Sequence, residues 1–306
     1  MRAAVVVAAG QAALSEVELP EPQPGQVRVR VEGCGVCGSD VPLFQGRPWF
    51  DYPREPGAPG HEGWGIVDKT APDVPGLEPG TRVAALSFRA YSDYDVADAD
   101  AVLPLPDELD GMPFPGEALG CAVNVFRRSD VRPGQTVAVV GVGFLGGLLV
   151  QLAARAGAHV VAVSRREGAL QAARAMGASE TRRLGDDEPE QCDRVIEAAG
   201  TQETLDAAGR MTRTRGRLIV AGFHQDGPRT VDMQMWNWKG IDVVNAHERD
   251  PHVYIRGMRE AVALVADGRL DPTPLYTHVF PLDRIEAALT TASARPEGFM
   301  KALVLP

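Results

Sequence analysis

The sequence predicts an α/β fold: a doubly wound parallel sheet joined to a second, mainly β domain. Beyond about residue 118, short apolar runs alternate with helix-like stretches, the pattern of strands linked by crossover helices. A glycine turn, Gly141-Val142-Gly143-Phe144-Leu145-Gly146, stands between one such run and a helix. Residues 1–112 read instead as short strands broken by proline–glycine clusters.

In the first region Pro20, Pro22, Pro24 and Gly25 form a turn before residues 27–31, which alternate apolar and polar like a half-buried strand. Clusters at 53–60 and 72–80 mark irregular loops. Residues 136–140 make an apolar run fit for a strand buried on both faces. After the glycine turn come a helix over 148–156, a strand over 160–163 and a helix over 167–176, the helices closed by Gly157 and Gly177. Residues 194–200 and 217–222 continue the alternation, and 242–244 add a further strand. A helix over 259–266 and short strands follow, ending in Lys301-Ala302-Leu303-Val304 and expected to return to the first domain. Residues 1–118 and 257–306 are therefore assigned to one domain and 119–256 to the other.

Composition narrows the function. A length of 306 residues can bury two ordinary cores, and 44% hydrophobic with 24% charged residues describe a soluble globular chain. A net charge of −10 argues against a nucleic-acid partner. No stretch reaches the roughly 18 apolar residues of a membrane helix, so no membrane is expected. The apolar segment at 1–9 is short for a signal peptide and reads as a first strand. Cys34, Cys37, Cys121 and Cys192 are too few and scattered for a disulfide framework and suit a reducing cytoplasm. The densest acidic patch, Gly185-Asp186-Asp187-Glu188, reads as a solvated loop.

The setting of the glycine turn makes it a dinucleotide site. Gly141 permits the tight turn, Gly143 lets backbone approach a pyrophosphate, and Gly146 allows close helix–strand packing. Phosphates would meet the free N–H groups at the helix start, around Phe144 and Leu145. An NAD site places an acid at the end of the second strand to accept from the ribose 2′-OH. Here Ser164-Arg165-Arg166 precedes Glu167. Two guanidiniums suit a 2′-phosphate, so NADP(H) is favoured over NAD(H).

Upstream lie Cys37-Gly38-Ser39-Asp40 and Gly60-His61-Glu62, and Glu117 stands 24 positions before Gly141. A thiolate, an imidazole and a carboxylate leave the fourth corner of a tetrahedral Zn²⁺ open to water or substrate. For the third ligand the residues offer Glu117, Cys121 and Glu62; Glu117 and Cys121 would share one helix face.

With these segments, Pro59-Gly60-His61-Glu62-Gly63, Glu117-Ala118-Leu119 and Pro281-Leu282-Asp283-Arg284-Ile285, the chain resembles the zinc-dependent medium-chain dehydrogenases/reductases over essentially its whole length. Its ligand pattern is that of the sorbitol and polyol dehydrogenase branch. The resemblance implies a GroES-like catalytic domain beside a Rossmann domain, with Cys37, His61 and Glu117 holding one catalytic zinc. It makes Ser39 the proton relay, Asp40 the partner that orients His61, and Glu62 an alternative or transient ligand. It also places Gly222, Phe223 and Ala246 at the cofactor, and makes His247 a structural or recognition residue. The implied reaction interconverts a small secondary alcohol, polyol or sugar-like, and its ketone.

The chain departs from the family in two places. Gly80-Thr81-Arg82-Val83 runs almost directly into Ala90-Tyr91-Ser92-Asp93-Tyr94, so the lobe that carries a structural zinc and serves assembly is missing. One zinc per chain and a homodimer in place of a tetramer are expected. Pro42 stands where many relatives carry a proton-conducting histidine. The rival readings are a zinc-free NADPH-dependent quinone or enone reductase of the same fold and a non-catalytic NADP(H)-binding sensor. Trp49, Phe50, Phe88, Trp236 and Trp238 are possible pocket walls, with none assigned a substrate contact.

Overall fold

In the computed structural model, which describes residues 1–186, 188 and 191–306, the first of two units comprises Met1–Gly120, Pro251–Gly268 and Pro272–Pro306. Of the acidic run at 185–188, Asp187 lies outside the described residues. Strands β1 (Arg2–Ala8) and β2 (Gln11–Glu16) pair as an antiparallel hairpin, so the apolar start of the chain is a strand. β3 (Gln26–Gly35) buries Val27, Val29 and Val31 on alternate positions, as their spacing requires. Arg28 breaks the alternation by being buried as well, which it tolerates because Asp68 and Glu21 accept from its guanidinium at 2.6 and 3.0 Å. The chain then forms α1 (Asp40–Phe44), β4 (Glu62–Thr70), β5 (Arg82–Ala85), β6 (Tyr94–Asp98) and β7 (Val102–Pro104). Helix α2 (Gly116–Ser129) leads out of this unit, with Leu119, Ala122 and Val123 buried along one side. Each buried Leu or Val contributes about 1.5–3 kcal/mol, which fixes the first turn that carries Glu117.

The second unit, Cys121–Asp250 with Arg269–Asp271, holds the strand–helix alternation. It runs β8 (Thr136–Val140), α3 (Phe144–Arg155), β9 (His159–Ser164), α4 (Glu167–Ala175), β10 (Glu180–Arg183), β11 (Cys192–Glu197), α5 (Gln202–Met211), β12 (Thr212–Val220), α6 (Met233–Lys239) and β13 (Asp242–Asn245). The sheet order is β10-β9-β8-β11-β12-β13, all parallel. Strand order therefore reverses between β8 and β11, which is where a doubly wound sheet opens a crevice for a ligand. β10 has no counterpart in the sequence reading. Its residues Glu-Thr-Arg-Arg pair only with β9 at the sheet edge and stay half-exposed, so no apolar run announces them.

The chain returns to the first unit through α7 (Pro251–Ala266), β14 (Tyr276–Pro281), α8 (Ile285–Ala294) and β15 (Lys301–Leu305). The larger sheet of that unit has the order β14-β15-β3-β4-β5-β7, with β6 also paired to β3. β3 thus lies between β15 and β4, and Gly35 is registered with Leu303 on one side and Glu62 on the other. Ala4, Val36, Leu43, Leu289 and Val304 belong to one core of the unit, Val27, Val67 and Val83 to another.

Candidate functional site

Two segments of the first unit build one cluster of donor side chains. Beyond β3 the chain turns through Cys37 and Ser39 into α1, whose first residue is Asp40. Asp40 is buried, and its Oδ2 accepts from the Cys37 backbone N–H at 2.9 Å and from the Tyr91 hydroxyl at 2.6 Å. The carboxylate therefore pins the cysteine loop. His61 immediately precedes β4, with Nδ1 2.8 Å from the Pro59 carbonyl oxygen and 3.5 Å from Asp40 Oδ1. A proton on Nδ1 donates to the Pro59 carbonyl, with Asp40 Oδ1 at ion-pair distance only, and leaves a lone pair on Nε2, the form in which imidazole binds metal. The nearer partner is the Pro59 carbonyl, so Asp40 shares the orienting of His61 with backbone. Nε2 lies 3.5 Å from Ser39 Oγ. Donor atoms of Cys37, His61 and Glu62 fall within 4.8 Å of one another.

The charges in this cluster are out of balance. Burial pushes the His61 pKa down, but Asp40, Cys37 and Glu117 outweigh it and hold the imidazole well above its ordinary value. Burial raises Asp40, against the pull of His61 and the Tyr91 and Cys37 hydrogen bonds. Glu117, buried in the first turn of α2, is pushed up to about 7 by burial, with Glu62 and Asp40 adding and His61 and Lys301 opposing. Asp40 Oδ1 is buried with no hydrogen-bond partner. A sulfur, a nitrogen and carboxylate oxygens lie together, with Glu117 and Asp40 raised by burial and Asp40 Oδ1 unbonded, and a bound dication would stabilise the charged form of these carboxylates. The donor set fits zinc.

Glu62 has a partner that sequence reasoning missed. Lys301 of β15 places Nζ 2.6 Å from Glu62 Oε1 and 2.5 Å from Oε2, and only the Oε1 contact has hydrogen-bond geometry. Both side chains are buried. Burial lowers the Lys301 pKa, yet Glu62, Cys37 and Asp40 together leave it raised, so the ammonium stays charged. The pair reaches across β3 at Gly35, where a Cβ would lie 1.9 Å from Glu62 Oε2 and 2.9 Å from Lys301 Cε. Only glycine leaves that space. Tyr91, the buried anchor of Asp40, was also missed; nothing local in Ala90-Tyr91-Ser92 announces it. The three clustered donors are Cys37, His61 and Glu62; neither Glu117, the ligand the resemblance implies, nor Cys121, one turn beyond it on α2 and half-buried, is among them.

In the second unit the glycine turn has the required shape. Gly141 adopts φ +98°, and a Cβ on Gly146 would lie 2.0 Å from the Gly141 carbonyl oxygen. A Cβ on Gly143 would meet nothing within 4 Å, so the open side of the turn is free for a ligand. α3 starts with Phe144 and Leu145 and has no side chain capping its N-terminus. Ser164 ends β9, and its Oγ accepts from the Arg166 N–H at 3.3 Å. Arg165 Nη1 lies 3.0 Å from Glu203 Oε2, and Arg166 Nη2 donates to the Val142 carbonyl at 3.3 Å.

Gly222 packs where a Cβ would lie 2.2 Å from the Gly200 nitrogen. Phe223 stacks on His247 at 5.7 Å and 11°. Ala246 is buried, and its N–H donates to the Val220 carbonyl at 2.8 Å. The loops behind these residues are held by Glu197, a fully buried acid at the end of β11 that sequence reasoning passed over as strand. It accepts from the N–H groups of Ala199 (2.8 Å) and Gly200 (2.7 Å), from Thr204 Oγ1 (2.7 Å) and from His224 Nε2 (2.9 Å). Burial pushes its pKa up, but these bonds bring it below the usual value. Its signal was an acid closing an apolar run. Trp49, Phe88 and Trp238 are exposed.

The alcohol dehydrogenase GroES-like domain family matches residues 23–107, and the zinc-binding dehydrogenase family matches residues 145–266. A sorbitol dehydrogenase of Gallus gallus is 29% identical, with 97% of this chain and 94% of that protein covered. An alcohol dehydrogenase of Geobacillus stearothermophilus is 30% identical, with 89% and 90% covered. A solved structure from Sinorhizobium meliloti 1021, described as a zinc-binding dehydrogenase bound to NADP, is similar with a TM-score of 0.86 and 26% identity, covering 100% of this chain and 99% of that one.

Proposed function

Because the chain belongs to the zinc-type medium-chain dehydrogenase superfamily, we propose that it interconverts a secondary alcohol, polyol or sugar-like, and its ketone, using one zinc and NADP(H). The observation that carries this reading is the cluster of Cys37, His61 and Glu62 donor atoms within 4.8 Å of one another, beside Ser39. Cys37, His61 and Glu117 would hold the metal. Lys301 already occupies Glu62, whereas burial leaves Glu117 with its pKa near 7 and short of compensating charge. When bound, zinc would supply Lewis acidity toward the substrate oxygen and the nicotinamide the hydride chemistry.

The remaining work falls to side chains. Ser39 takes the hydroxyl proton in oxidation and returns it in reduction. Pro42 cannot relay that proton, so it leaves through a ribose hydroxyl or water. Asp40 and the Pro59 carbonyl keep His61 in one tautomer, and Asp40 also fixes the loop carrying Cys37 and Ser39. Arg165 and Arg166 favour NADP(H). In this reading 1–118 with 257–306 form the catalytic domain and 119–256 the dinucleotide domain, in a cytoplasmic homodimer. Free cysteines support the reducing compartment, and none of the described helices is long and apolar enough to cross a membrane.

The test is turnover on a panel of polyols, amino-sugars and simple secondary alcohols, before and after zinc is stripped by a chelator. Activity should vanish on stripping and return with about one zinc per chain. Turnover that survives stripping would point to a zinc-free enone or quinone reductase. Tight NADP(H) binding without turnover at any metal loading would point to a sensor.

A further inference from the structure

One of the two guanidiniums read as a 2′-phosphate site, that of Arg165, pairs with the chain's own Glu203. Arg165 directly follows β9, and Glu203 lies in the first turn of α5, which follows β11. β9 and β11 flank β8 on opposite sides, so the 3.0 Å Arg165–Glu203 pair joins the two sides of the point where strand order reverses. The dinucleotide reading puts its adenosine end against the loop after β9. Arg166 behaves differently: its guanidinium donates to Val142 within the glycine turn. The side chains of Arg165 and Glu203 are 65% and 51% exposed. A solvated pair of this kind is weak and opens readily, so it can exchange partners with an incoming anion.

We propose that Glu203 is a specificity-determining residue of the dinucleotide site, a competitor that narrows the preference for a 2′-phosphate over a 2′-hydroxyl set by Arg165 and Arg166. A 2′-phosphate must displace Glu203 from Arg165 and then remain near its negative charge. A 2′-hydroxyl carries no charge and meets no such repulsion. The proposal rests on the reading of Arg165 and Arg166 as the 2′-phosphate site, and the experiment separates the two.

Binding of adenosine 2′,5′-bisphosphate and of 5′-AMP is measured by calorimetry on the full chain, for wild type, Glu203→Gln and Arg165→Ala/Arg166→Ala. Glu203→Gln keeps the shape of the side chain and removes its charge. It should strengthen bisphosphate binding roughly three- to fivefold, the upper part of the range for an exposed ion pair, and leave 5′-AMP within about twofold. The gain should fade toward 1 M salt, because both charges face solvent. Equal strengthening of both ligands, no change or a loss for the bisphosphate would overturn the proposal. If the double arginine variant keeps full discrimination, the arginine reading itself fails. If that variant loses discrimination while Glu203→Gln changes nothing, only the role of Glu203 fails.

Discussion

Replacing Lys301 by methionine is expected to lower stability by about 3–5 kcal/mol, the cost of leaving one member of a buried ion pair without its partner. Glu62 is 1% exposed and Lys301 4%, so water cannot take over for the lost ammonium. Asp40 and Glu117 lie beside the same cluster and have the same sign as Glu62, which leaves His61 as the cation beside the stranded carboxylate. Urea denaturation is the measurement, with the midpoint falling while the slope stays constant. Adding Glu62→Gln should recover most of the loss, because the pair is coupled through space across Gly35. A loss below 1 kcal/mol for Lys301→Met, or no recovery in the double variant, would show that the pair carries little of the local stability.

Cys37→Ala should cost about 10³-fold or more in turnover, corresponding to several kcal/mol of transition-state stabilisation supplied by a properly held metal. Zinc content should fall with it. Dinucleotide affinity should stay within about twofold, since the glycine turn, Arg165 and Arg166 are residues of the other unit and none depends on the thiolate. Turnover within tenfold of wild type would remove Cys37 from the metal site. A parallel collapse of dinucleotide binding would show that the substitution unfolds the chain.

What the sequence disclosed was whatever depends on near neighbours. The apolar run at 136–140, the glycines at 141, 143 and 146 and the alternation at 27–31 each report a local backbone requirement, and they place β8, α3 and β3. The edge strand β10 escaped because its partner lies on one side only and its side chains need not be apolar. In the candidate site, Cys37, His61 and Glu117 are scattered along the chain, and composition alone gives none of them a role; their standing came from resemblance. The partners that tune them were less visible still. Lys301 reaches Glu62 from 239 residues away, Tyr91 reaches Asp40 from 51, and Glu203 reaches Arg165 from 38. Long-range charge pairs leave no local periodicity. The sequence reading gives Arg165 to a 2′-phosphate, and the fold adds Glu203 as a partner that no local pattern announces.

If one zinc is held by Cys37, His61 and Glu117, X-ray absorption at the zinc edge reads that ligand set from the protein itself. Freshly purified wild type and Cys121→Ala should both show a single sulfur scatterer near 2.3 Å, with the remaining ligands nitrogen and oxygen. Two sulfurs in wild type, falling to one in Cys121→Ala, would give the third position to Cys121 and contradict the account; so would protein that takes up no zinc.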